Sequence, residues 1–162
     1  EEFFEPSDNG SPLAEWTSGA QAYASDELYA STGSVGARHD YGNFNFSIPS
    51  TDSIIGIEIK IEARATTNTG NIQIMLSWDG GTNYTSLVSA TSSTFTITDT
   101  VYRLGSATDV WGRAWTPSDF LNENFRFRLI GQPSGNTVQV DAIQVKVYNI
   151  ATGGGGGGSG RS

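Results

Sequence analysis

Ile55, Ile57, Ile59, Ile61 and Ala63 alternate with Glu58, Lys60, Glu62 and Arg64. A period of two, with β-branched residues on one side and charges of both signs on the other, predicts a strand with one buried face. The same period recurs at Phe44, Phe46 and Ile48, where Pro49 ends it, and at Ile72, Ile74, Leu76 and Trp78. It returns at Phe95 and Ile97, and at Phe125, Phe127 and Leu129 with Arg126 and Arg128 facing outward. Between these runs lie Pro49-Ser50-Thr51-Asp52, Asn68-Thr69-Gly70-Asn71, Asp79-Gly80-Gly81-Thr82 and Pro133-Ser134-Gly135-Asn136, which are the residue types that turns require. In the last run the apolar positions Val138 and Val140 change parity to Ile143, Val145 and Val147. A regular strand cannot do this without turning its core face to water, so a bulge is expected near Asp141-Ala142. No window of helical length carries an apolar stripe at 3.6-residue spacing, and the one helical signal is a short turn over 118–122.

Short strands with one apolar face each must bury those faces on one another, and two sheets packed face to face achieve this. The fold expected is therefore all-β: a two-sheet antiparallel β-sandwich, jelly-roll in arrangement, with an immunoglobulin-like order as the alternative. Strand order is not written in the pattern, but the Cys-Trp-Cys signature of antibody-type domains is missing. Residues 14–150 make up this domain. Residues 1–13 read as an extended arm with no strand of its own, carrying Phe3 and Phe4 between acids and then Pro6, Gly10 and Pro12. Residues 151–162, with six consecutive glycines, read as a tail or linker.

Composition narrows the chemistry. The 162 residues include no cysteine and one histidine, His39, which excludes thiolate zinc sites, iron-sulfur clusters, thiol catalysis and multi-histidine metal centres. A histidine triad would run through His39 alone, and no Gly-x-Ser-x-Gly elbow accompanies it. The net charge of -8 and the scattered basic residues argue against nucleic acid as a partner. No apolar run approaches the roughly 20 residues that span a bilayer, so membrane insertion is not expected. A start at Glu1-Glu2 without methionine suggests processing, and richness in Ser, Thr, Asn and Gly suggests an extracellular location at a cell or virion surface. Sequons at Asn9, Asn45 and Asn83 would count only in a eukaryotic secretory pathway.

Ser77-Trp78-Asp79-Gly80-Gly81-Thr82-Asn83-Tyr84 fits an Asp-box pattern and resembles the hairpins of sialidase propellers. Physically it is a turn device: the Asp79 carboxylate accepts turn N–H groups, Gly81 takes positive φ, and Tyr84 packs back on the hairpin. The ending Val138 to Val147 resembles the closing strand of galactose-binding-like jelly-rolls, the architecture of many carbohydrate-binding modules. More broadly, Ala22-Tyr23-Ala24-Ser25-Asp26, Phe46-Ser47-Ile48-Pro49-Ser50, Ile55-Gly56-Ile57-Glu58, Trp78-Asp79-Gly80-Gly81, Leu104 to Gly112 and Trp115-Thr116-Pro117-Ser118-Asp119-Phe120 resemble a β-sandwich domain recurrent in phage virion and bacterial surface proteins. That resemblance implies architecture and location, and it transfers no functional residues.

Two functions of different classes follow. The first is a non-enzymatic structural subunit of an extracellular filament, fibre or virion surface, whose partners are copies of itself. Its extended termini would add as strands to neighbours, anchored by Phe3 and Phe4. The alternative is a carbohydrate-binding or adhesion module for surface glycans. Its site would be Trp111, Trp115, Arg113 and Asp119, since indole rings stack on sugars while charged side chains take the hydroxyls. Those rings serve equally well to seal one end of the sandwich. A glycoside hydrolase would need two facing carboxylates about 5–9 Å apart, and no acid pair among the seventeen stands out. Glu58 and Glu62 are expected to pair instead with Arg126 and Arg128 across strands. No cofactor is expected. Ligand type alone leaves a structural calcium open at Asp8, Asn9, Asp26 or Asp141.

Overall fold

A computed structural model describes residues 2–152, so the glycine tail expected to act in assembly lies outside the described residues. Nine strands form two antiparallel sheets: β1 (Asp8–Ala14), β2 (Ala30–Thr32), β3 (Arg38–Gly42), β4 (Asp52–Ala65), β5 (Asn71–Ser77), β6 (Val88–Ser89), β7 (Thr100–Ser106), β8 (Arg126–Gln132) and β9 (Val138–Ala151). One sheet runs β1-β3-β8-β5-β6 and the other β2-β9-β4-β7. From β2 onward the ladders include β2 with β9, β3 with β8, β4 with β7 and β5 with β6, joined within each sheet by β4 with β9 and β5 with β8. A single long hairpin folded over on itself gives these pairs, so the arrangement is a jelly-roll and the immunoglobulin-like alternative falls away.

The long pair β4–β9 is the spine. Ile57, Ile59 and Ile61 are fully buried, as are Val138, Val140, Ile143 and Val145. The register slips between Glu62/Ala63 of β4 opposite Ala142 and Val140 of β9, so Asp141 is the extra residue that lets the apolar parity change. Phe127 and Leu129 of β8 and Ile72, Ile74 and Leu76 of β5 supply the facing layer of the core. The short turn expected over 118–122 is the 3-10 helix Pro117–Phe120.

Three expectations are corrected. Phe44, Phe46 and Ile48 do not form a strand, because Asn43 and Asn45 stand at φ of 52° and 60° and break the extended chain, while Phe44 still enters the core. Phe95 and Ile97 form none either: Phe95 is buried and stacked on Tyr102 at 4.9 Å, and Ile97 is exposed. The arm shortens to the residues before Asp8, since Asp8–Ala14 pairs with β3 as an edge strand, and an edge accommodates Pro12.

Candidate functional site

The segment joining β7 to the 3-10 helix is folded by its own tryptophans. Trp111 and Gly112 lie at φ of 56° and 81°, which turns the chain back toward the sandwich. The Trp111 indole then donates to the Ile57 carbonyl at 3.0 Å, and the Trp115 indole donates to the Val110 carbonyl at 2.8 Å. Trp115 packs on Phe120 at 5.2 Å and both tryptophans are buried. Asp119 accepts the Thr116 amide at 2.8 Å and closes a capping box on the 3-10 helix. Between these elements lies Arg113. Its guanidinium sits 4.0 Å from the Trp78 ring centroid and 4.6 Å from that of Trp115, with Nη1 3.5 Å from Asp119. Nη1 is buried and has no hydrogen-bond partner among the described residues, an unusual state for a buried donor.

Beside Arg113 opens a depression of about 190 Å³, lined by Trp78, Tyr84, Thr85, Ser86, Trp111, Gly112 and Arg113. The Asp-box hairpin fixes its far wall. Asp79 accepts the Ser77 hydroxyl at 3.0 Å and the amides of Thr82 and Asn83 at 3.1 and 2.9 Å, with Gly81 at φ 99° and Tyr84 bridged to Ser77. Desolvation raises the Asp79 pKa, but the hydrogen bonds from Asn83, Ser77 and Thr82 outweigh it and hold the carboxyl below its usual range. Tyr84 donates to Asp40 at 2.9 Å, and Asp40 takes both arms of Arg128 at 2.8 and 2.9 Å. Burial first, and then the Asp40 charge, push the Tyr84 phenol upward. The hydroxyl is therefore a fixed neutral donor. Of the four residues expected here, Trp111 and Arg113 line the depression, whereas Trp115 and Asp119 stand behind it as packing and cap. Trp78 and Tyr84 were missed, although the Asp-box spacing that places both at the base of one hairpin was the available signal.

A second constellation joins β4, the approach to β7, and β9. Carboxylate oxygens of Glu62, Asp99 and Asp141 lie within 4.8 Å of one another. Asp141 is fully buried and accepts the Asp26 and Glu27 amides, Asp99 accepts the Tyr29 hydroxyl at 2.9 Å, and Asp99 Oδ1 is buried without a hydrogen-bond partner among the described residues. Burial raises the Asp141 pKa, the two amides oppose this, and the Glu62 and Asp99 charges add to the rise. An all-oxygen trio of this kind has the donor chemistry to share a proton or to ligate a hard divalent cation. The ligands expected from sequence are not gathered: Asp8 lies on β1 in the other sheet, Asn9 bonds His39 and Tyr23, and Asp26 meets Asp141 through its amide. Only Asp141 carries over.

No family model matches the chain, and no curated protein does. Among solved structures it is similar to a family two carbohydrate esterase from Cellvibrio japonicus, at 9% identity and a TM-score of 0.40, over 91% of this chain and 30% of the esterase. It is also similar to a second structure, described as Family 16 Carbohydrate Binding Module-2, at 13% identity and a TM-score of 0.42, over 77% of this chain and 80% of that one. The chain thus spans less than a third of the esterase's length.

The anchors expected to reach into a neighbour are used within the chain itself. Phe4 exchanges both backbone hydrogen bonds with Val145 of β9, at 2.8 and 2.9 Å, and its ring packs edge-on against Phe46 at 5.2 Å. Phe3 faces the opposite way, onto the outer surface of the four-stranded sheet beneath Lys60. The ion pairs expected between Glu58 or Glu62 and Arg126 or Arg128 do not form, because β4 and β8 belong to different sheets. Glu58 instead meets Arg103 at 3.4 Å and the Tyr148 hydroxyl at 2.8 Å. His39 is buried in β3, accepting the Trp16 amide at Nδ1 and meeting Asn9 at Nε2, so its ring is neutral and structural. No helix among the described residues is long and apolar enough to cross a membrane.

Proposed function

We propose that the chain is a non-catalytic carbohydrate-binding module of the cell exterior, holding a sugar in the depression beside Arg113. One observation carries this reading: a guanidinium packed against the mutually perpendicular rings of Trp78 and Trp115 and paired with Asp119, its buried Nη1 making no hydrogen bond among the described residues, lines a small depression. A pyranose has an apolar C–H face and a rim of hydroxyls. The rings of Trp78 and Tyr84 suit the first, while Arg113 and the hydroxyls of Thr85 and Ser86 suit the second. None of the lining side chains is an acid or a histidine, so the depression is chemically equipped to hold a sugar and not to hydrolyse it. Preorganisation supports affinity, because Arg113 is already clamped and loses little freedom on binding.

Isothermal titration and tryptophan fluorescence against a panel of neutral polysaccharides test the reading. Saturable binding with quenching is expected, weakened about tenfold or more in Arg113→Ala and Trp78→Ala, with unchanged thermal midpoints as the control for folding. Absence of binding across the panel, or binding indifferent to both substitutions, removes the reading.

A further inference from the structure

We infer that the outer face of the four-stranded sheet is a second binding surface, shaped for the carboxylate or sulfate groups of an acidic polysaccharide; this rests on the glycan-binding reading and extends it to a ligand class. The outward positions of β4 and β9 are Glu58, Lys60 and Glu62 and, opposite them, Lys146, Gln144 and Ala142, while Arg103 of β7 lies opposite Lys60. Both lysines of the chain are therefore on this one face.

Their surroundings distinguish them. Lys60 Nζ lies 4.0 Å and Lys146 Nζ 5.6 Å from the centroid of the same ring, Phe3, and Lys146 is also 4.7 Å from that of Tyr148. Among the described residues neither ammonium forms an ion pair, and the nearby carboxylate of Glu58 is already taken by Arg103 and Tyr148. Glu62 is directed into the trio with Asp99 and Asp141. Two ammonium groups converging on one phenyl ring, each with its donors unspent, await an oxyanion that both can bond. On a chain of net charge -8, this face gathers Lys60, Lys146 and Arg103, of which only Arg103 is paired with a carboxylate among the described residues.

Next to Lys60 runs a groove of about 260 Å³, walled by Glu5, Glu62, Ser25, Arg103 and Gln144, so that the uncharged hydroxyl-bearing stretches of a sugar polymer and not its charged groups meet the two carboxylates. A repeating anionic sugar polymer matches both parts. One charged group settles on the lysine pair, and the chain continues along donors and acceptors fixed on rigid strands. A peptide of acidic residues alone, such as polyglutamate, would find the charge but lacks the ring hydroxyls that a sugar presents to the groove.

The experiment is titration of the intact chain with polygalacturonate, dextran sulfate, neutral dextran and polyglutamate, at low and high salt, for wild type, the Lys60→Gln/Lys146→Gln pair and Arg113→Ala. The expected result is that an acidic polymer binds more tightly than dextran, that this margin shrinks with salt, and that the lysine pair of substitutions weakens it about tenfold. Polygalacturonate and dextran sulfate separate the carboxylate from the sulfate as source. Equal binding of acidic and neutral polymers, an acidic-polymer affinity unmoved by the lysine substitutions, or equally tight binding of polyglutamate overturns the inference. If neutral glycans bind through Arg113 while the acidic preference is missing, this inference alone fails; if no glycan binds, the reading it rests on fails too. Unchanged thermal midpoints confirm that the variants fold.

Discussion

At the scale of single residues, the buried polar groups carry the largest consequences. Asp40 and Arg128 face each other across the β3–β8 ladder in a buried two-armed pair whose carboxylate also receives Tyr84 and the Leu13 amide. Removing one partner strands a buried charge, so Arg128→Met should cost about 3–5 kcal/mol in denaturant unfolding, with Tyr84 released from its fixed position and glycan binding weakened. His39 makes stability depend on pH. Burial lowers its proton affinity in the fold, with Asp40 and Glu15 opposing this more weakly. As pH falls below about 6.5 the unfolded chain takes up a proton that the folded ring refuses. Stability is thus fully present above that pH and falls as pH drops toward the folded pKa; melting curves from pH 7.5 to 5 should show the decline, and His39→Gln should remove it. The carboxylate trio behaves in the opposite sense. Because the Asp141 pKa is raised in the fold, its crowding weighs most at neutral pH. Millimolar calcium should raise the melting temperature at pH 7 and lose that effect near pH 4; an unchanged midpoint at pH 7 assigns the trio to proton sharing.

Elements transmit these local facts. Gly105 of β7 lies at φ 75°, and a β-carbon there would collide with the Ile57 carbonyl and come within 2.8 Å of the Trp111 indole nitrogen. Ile57 O is the acceptor that seats Trp111. Gly105→Ala should therefore disturb the edge strand and the wall of the depression together, lowering thermal stability and sugar affinity in one substitution. What was legible in the sequence follows the same logic of locality. The β4 alternation and the Asp141 bulge are visible because each side chain's burial is decided by its neighbours two positions away. β3 was not legible, because Asp40 looks like a loop residue until Arg128, 88 positions later, is placed opposite it. Phe44 to Ile48 misled for a related reason: its apolar period is real, but left-handed asparagines decide the backbone. In the depression, tryptophan content marked the right loop, yet Trp115 and Asp119 were spent on holding that loop, and the exposed wall came from a hairpin some 30 positions earlier.

For the whole molecule, the arm is the part that closes the sandwich. Phe4 caps β9 at Val145 and lines, with Phe46 and Ile48, a cavity of about 350 Å³ beside Val147 and Asn149. Deleting residues 1–5 should leave the Val145 backbone groups unpaired and uncover those rings. The loss expected is about 2 kcal/mol, the scale of burying one phenylalanine. Light scattering should then detect more self-association than in the full chain, since an uncovered strand edge invites pairing with another. A truncated chain that associates no more than the full chain and is equally stable would show that the arm is dispensable.

The same cavity brings Glu2 alongside Asn149, three positions before the end of the described chain. Residues 2 and 149 therefore share one corner of the sandwich. Such a body can be spliced into a loop of a host protein, or reopened at the exposed turn 33–36 after its ends are joined by a few residues, without pulling any strand out of register.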